Sequence, residues 1–132
     1  MITVPEPVAK MIKHPDTHKV LCTVTPDGKP HAIVCASLSM LGEDTILVAE
    51  VYMHKTCENL KNNPNVEILV WQGRYGYSLK AVTTGRVVEG PSFNKMVKVM
   101  ERFNLAPVAV WEFKVLEIYD ESATTTAGEK VA

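Results

Sequence analysis

The stretch MHKTCENLKNNPNVEILVW, residues 53–71, decides how the rest of the chain is read. An apolar run, TILVAEV at residues 45–51, leads into it. Residues 55–62 then read as a short polar helix, which Asn63, Pro64 and Asn65 break, since a residue before proline is biased away from helical backbone. VEILVW, residues 66–71, reads as a strand. Lys55 and Thr56 therefore stand at the mouth of a helix that directly follows a strand. A helix start has unpaired N–H groups and a partial positive charge. Ammonium, hydroxyl and backbone donors converge there, and a phosphate suits that combination. The plainer alternative is that Thr56 caps its own helix and Lys55 is solvated. The residues alone leave both open, and His54 fits an exposed turn as readily as a site.

On either side of this stretch, strands come in quick succession. VLCTVT (residues 20–25) runs into Pro26, Asp27 and Gly28, a turn with suitable chemistry at each position. HAIVCAS (residues 31–37) returns antiparallel, LGED (residues 41–44) turns, and residues 45–51 form the next strand. After a turn at QGRYG (residues 72–76), residues 77–90 read as one long strand in which Gly85 marks a bulge. Phe93, Met96, Val97, Met100 and Phe103 fall on one helical face, with Ser92 as N-cap after Pro91. In VAVWEFKVLEIY (residues 108–119), Trp111, Phe113 and Val115 alternate with Glu112 and Lys114, a half-buried strand. A first helix over residues 7–13 stops before Pro15.

The sum is mainly β: six strands, two substantial helices and a short first one. An antiparallel β-barrel with flanking helices, closed or nearly closed, protects so many short strands from exposed edges. A β-sandwich is the second arrangement. Residues 1–120 form a single domain, and residues 121–132, ESATTTAGEKVA, read as a flexible tail.

Composition excludes several classes. At 132 residues with a net charge of −1, the chain has no basic excess to suggest a nucleic-acid partner. It has no apolar run of the roughly 20 residues a membrane helix needs. Pro5, Glu6, Pro7 and Lys10 near the start do not read as a secretory leader. Cys22, Cys35 and Cys57 are odd in number and widely spaced, which fits reduced thiols in a cytoplasm and small buried apolar residues. His14 and His18 are four apart, but Pro15 between them spoils helical metal-ligand geometry, so no metal is expected. No nucleophile elbow and no glycine-rich nucleotide loop occurs, and no catalytic residue stands out.

With those residues in place, the chain resembles the FMN-binding split barrels of the pyridoxamine 5'-phosphate oxidase-like superfamily. The resemblance rests on DGKPHAIVCAS, TILVAEVYMHKTCENLKNNPNVEILVW and TTGRVVEG, in that order. It implies a six-stranded antiparallel split barrel that binds FMN. It implies that Lys55 and Thr56, beside His54, hold the flavin phosphate, that Val34, Cys35, Ala36 and Ser37 offer backbone donors and acceptors to the ring, and that Ala49, Glu50, Val51 and Tyr52 flank ring and ribityl chain. Related small proteins can carry glycines where this chain has Val51 and Tyr52, so bulk there narrows the site or stacks on the ligand. The resemblance further implies a homodimer with flavin at the subunit interface. The role is an electron carrier or a small reductase or oxidase, with the electron partner open. Alternatives on the same fold are a non-catalytic flavin module, a deazaflavin user, and a haem-binding or haem-degrading protein with His54 or His31 as axial ligand.

Overall fold

A computed structural model describes residues 1–132. Seven antiparallel strands form one sheet in the order β2-β1-β5-β6-β7-β4-β3. They are β1 (His18–Val24), β2 (Pro30–Val34), β3 (Ser39–Leu41), β4 (Thr45–Glu50), β5 (Asn65–Gln72), β6 (Tyr75–Val87) and β7 (Ala109–Asp120). Three helices accompany them: α1 (Glu6–Lys13), α2 (His54–Asn62) and α3 (Pro91–Glu101).

The topology forces the sheet to curl. Its two edges, β2 and β3, are consecutive in the chain and joined by residues 35–38 alone. Seven strands laid flat would hold the edges about 29 Å apart, whereas that connector spans at most about 18 Å. The edges therefore approach without pairing, which is a split barrel. Its interior is one apolar cluster with members from β1 (Leu21), β3 (Met40), β4 (Ile46), β5 (Ile68), β6 (Leu79) and β7 (Phe113), joined by Val8 and Ile12 of α1.

The six-strand reading misses β3. At three residues it is too short to show a period, and the strand expected to run to residue 37 ends at Val34, where the chain turns to cross the split. The bulge at Gly85 is present: the β6–β7 register shifts between Thr83 and Gly85, where φ is 155°. Strand β4 lacks alternation because both its faces are covered. Ile46 and Val48 point into the barrel, while Leu47 and Ala49 pack under Met96 and Met100 of α3.

Helix α3 departs from its expected start. Gly90 is the N-cap, Pro91 opens the helix, and the Ser92 hydroxyl donates to Glu112 Oε2 instead. Of its expected apolar face, Met96 and Met100 are buried, whereas Val97 and Phe103 are exposed.

Residues 121–132, expected to be a flexible tail, fold back on the sheet. Ser122 is buried, the Glu121 N–H donates to the Gly76 carbonyl, and the Val131 N–H donates to Ile118. Composition conceals this because most of the ties are made by backbone, joined by the Ser122 hydroxyl, which accepts from the Gly76 N–H at 3.0 Å. At Gly76 the strands approach closely: a Cβ would lie 2.9 Å from both Trp71 Cβ and the Val70 carbonyl oxygen. Gly76→Ala is expected to cost about 1–3 kcal/mol in denaturant unfolding; an unchanged midpoint would contradict that packing.

Candidate functional site

An apolar cavity of about 380 Å³ opens at the split. One wall is the end of β2 and its connector: Ile33, Val34, Cys35, Ala36 and Ser37. The other is the end of β4 and the segment leading to α2: Ala49, Val51, Tyr52 and Met53. Met100, Phe103 and Leu105, at and beyond the end of α3, close it. Asn104, with φ 56°, adopts the left-handed backbone that asparagine tolerates at a helix end, and the Leu105 N–H turns back to the Met100 carbonyl. That reversal sets Phe103 and Leu105 at the cavity, and no periodic signal in the sequence marks it.

Of the residues assigned to the ring and ribityl chain, Val34, Cys35, Ala36, Ser37, Ala49, Val51 and Tyr52 line this cavity together. The segment after edge strand β2 thus meets the end of β4, which lies beside the other edge. The Ser37 hydroxyl accepts from the Ala49 N–H at 3.3 Å and ties them. The N–H groups of Ala36, Ser37, Val51 and Tyr52 have no acceptor within the protein, so both walls present free backbone donors.

Glu50 is turned away from that cavity. Its carboxylate accepts from Arg86 at 2.9 and 3.0 Å, from Trp111 Nε1 at 2.9 Å and from the Cys57 thiol at 3.1 Å. The Arg86 hydrogen bonds above all hold the carboxyl down at about 2. Glu50, His54, Cys57, Lys61 and Arg86 border a second, polar cavity of about 460 Å³, which shares Val51 and Met53 with the first. Burial and then Glu50 push the Cys57 thiol up to about 12, and burial pushes Cys35 up to about 11. Neither is a thiolate nucleophile near neutral pH.

Helix α2 borders the polar cavity through His54, Cys57 and Lys61, and its N-cap Met53 lines both cavities. Met53 is its N-cap and no side chain caps it, so Thr56 does not play the capping role open to it in sequence. Thr56 instead sits on the inward face with Asn59 and Leu60. Asn59 reaches Thr23 of β1 at 3.0 Å, but Thr56 Oγ1 is buried with no hydrogen-bond partner. An orphaned hydroxyl of this kind costs about 1–3 kcal/mol. Lys55 is exposed, and the N–H groups of Lys55 and Thr56 have no acceptor. Free amides, a free ammonium and one orphaned hydroxyl at a helix start fit a phosphate-bearing ligand.

Lys19, Lys95 and Arg102 line neither cavity but donate to carbonyls of residues 36–40, the segment whose first residues are cavity wall, and no pattern in the sequence marks them as a group. Lys19 lies on the inward face of β1, where alternation predicts an apolar residue, and its Nζ donates to the Leu38 carbonyl at 2.8 Å. A basic residue at an inward strand position is the available signal.

The family described as pyridoxamine 5'-phosphate oxidase matches residues 6–122. The fold is similar to that of HupZ from Group A Streptococcus, with a TM-score of 0.82, 19% identity and full coverage of both chains. An FMN-binding protein from Syntrophomonas wolfei superposes with a TM-score of 0.76 at 22% identity, over 89% of this chain and 83% of that one. General Stress Protein 26 from Bacillus anthracis gives 0.73 at 20% identity, over 96% and 95%. Among curated proteins none matches. The matched span covers α1, all seven strands, both cavity walls and the start of α2, and on that ground the chain belongs to the pyridoxamine 5'-phosphate oxidase family.

Proposed function

We propose that the protein binds FMN, with the ring in the apolar cavity and the phosphate at the start of α2, and works as a redox flavoprotein. One observation carries this reading: residues 34–37, after edge strand β2, and residues 49, 51 and 52, at the end of β4 beside the other edge, meet in one apolar cavity next to a helix start that has unmet donors. A flavin ring has apolar faces and polar edges. Val34, Val51 and Phe103 suit the faces, and the free N–H groups of Ala36 and Ser37 suit an edge. Bound flavin would supply the electron transfer, while the chain binds and orients it. The similarity to an FMN-binding protein of the same fold is consistent with this reading.

Absorbance of the purified protein tests it. The expected result is an oxidised-flavin spectrum that persists through gel filtration; a haem Soret band would overturn it. No histidine lines the apolar cavity, and His54 borders the adjoining polar one. Turnover of a nicotinamide donor separates an enzyme from a carrier.

A homodimer belongs to the same proposal. Around the cavity mouth Val34 is 84% exposed and Tyr52 74%, beside the unpaired edge β2. A second copy related by a two-fold axis would cover both mouths equally. Val110, Trp111 and Phe113 of β7 fill their own fold, whereas Val108, just before that strand, is 59% exposed and free to meet a partner. Val110→Asp would therefore unfold the chain, because Val110 packs on Met96 and Met100. Val108→Asp is the usable probe. It is expected to shift the dimer toward monomer in analytical ultracentrifugation and to lower the flavin-to-protein ratio. A monomer with full FMN occupancy would contradict the shared cleft and leave the phosphate site standing.

A further inference from the structure

We propose that Lys19, Lys95 and Arg102 make the wall of the apolar cavity electropositive, so that the site holds reduced, anionic FMN more tightly than oxidised FMN. This rests on the FMN reading above. The three cations come from different elements and converge on one short segment. Lys19 donates to the Leu38 carbonyl at 2.8 Å, Arg102 to the Ala36 carbonyl at 3.3 Å, and Lys95 to the Met40 carbonyl. These carbonyls belong to alternate residues, and Ala36 is itself cavity wall. The Arg102 guanidinium also stacks over Phe103, 4.6 Å from the ring centroid, and Phe103 is cavity wall too.

No carboxylate lies within 4 Å of any of the three. The ion pairs of this protein use Lys10, Lys29, Lys80, Arg86, Lys114 and Lys130 instead. Neutral donors would satisfy three carbonyls equally well and without mutual repulsion. That repulsion is felt: burial, and next the Arg102 charge, lower the Lys19 pKa. Lys19 is buried and Lys95 half-buried, where screening is weak, while Arg102 is exposed on the same segment; together these uncompensated charges favour whatever occupant of the adjoining cavity is negative. A neutral oxidised flavin ring gains one net negative charge when it takes two electrons from a donor and one proton from water. The cations are charge-positioning groups and take no proton in that change.

The test is anaerobic calorimetric titration of oxidised FMN and of dithionite-reduced FMN into wild type, Arg102→Gln, Lys95→Gln and Arg102→Lys. Wild type is expected to prefer reduced FMN by about tenfold, equivalent to about 30 mV in a two-electron couple. Each glutamine variant is expected to weaken reduced FMN severalfold more than oxidised FMN, and Arg102→Lys to restore the preference. Lys19 is left intact because it is buried. Parallel losses for both redox forms, or a preference unmoved by either substitution, would mean that the cations only brace the wall, and would overturn this inference alone. Failure of oxidised FMN to bind wild type would overturn the FMN reading and this inference together.

Discussion

Glu50→Ala is expected to lower the stability of the protein by about 3 kcal/mol. The substitution removes one carboxylate that serves three donors from three elements: Arg86 of β6, Trp111 of β7 and Cys57 of α2. Arg86 is 38% exposed and recovers water, but Trp111 is 5% exposed, and its indole N–H loses its acceptor inside the fold. Urea unfolding at neutral pH measures the loss, and a change below about 1 kcal/mol would show that the hub is redundant.

The same group sets a pH dependence. The folded carboxyl titrates at about 2 against 4.5 for the free group. A depressed carboxyl stabilises the fold fully above the unfolded value and loses that contribution as pH falls through the folded one. The window is therefore pH 4.5 down to about 2. Across it the contribution lost is about 2 kcal/mol, with allowance for screening at the half-exposed Arg86. Glu50→Gln, which keeps the shape without the charge, should be less stable than wild type at neutral pH and converge with it as pH falls. Parallel curves would contradict this assignment.

Thr56→Val is expected to act in opposite directions on the empty and the liganded protein. Its hydroxyl is buried and unpartnered, so an isosteric methyl in its place should leave the thermal midpoint of the ligand-free protein unchanged or raise it. FMN affinity should fall by roughly tenfold or more, the loss of one charge-assisted hydrogen bond of about 1.5–3 kcal/mol. Adding Lys55→Ala should deepen the loss further. Fluorescence titration and a melting curve on the same samples read both effects. Destabilisation without loss of FMN affinity would place the hydroxyl in the packing and remove it from the site.

The parts of this fold legible in the sequence are those with a long local signal. Pro26, Asp27 and Gly28 mark the first hairpin, Asn63 and Pro64 end α2, and the alternation around Trp111 gives β7 its inward face. Strand β3 is hidden because three residues carry no period, and the return of the tail is hidden because mostly backbone groups make it. The wall residues Val34, Cys35, Ala36, Ser37, Ala49, Val51 and Tyr52 come from the family resemblance, and the fold brings these seven to one cavity. Local pattern cannot pair them, since they join only when the sheet curls. The resemblance gives Glu50 to the flavin because it sits between wall residues. Period two along β4 instead turns it toward Arg86, on the face opposite Ala49. Nothing local marks Phe103 and Leu105 as wall residues. A helical stripe places Phe103 in the core, whereas α3 stops at Glu101 and Asn104 reverses the chain.

The central claim is that one site joins a ring cavity to a phosphate-binding helix start. Parallel fluorescence titrations of the wild-type protein with FMN and with riboflavin test it most directly, because the two ligands share the ring and differ only in the phosphate. The expected result is one FMN bound per chain, with riboflavin binding the same protein tens-fold more weakly, in line with loss of about 2–3 kcal/mol of charge-assisted hydrogen bonding. Equal affinities for the two ligands would contradict it.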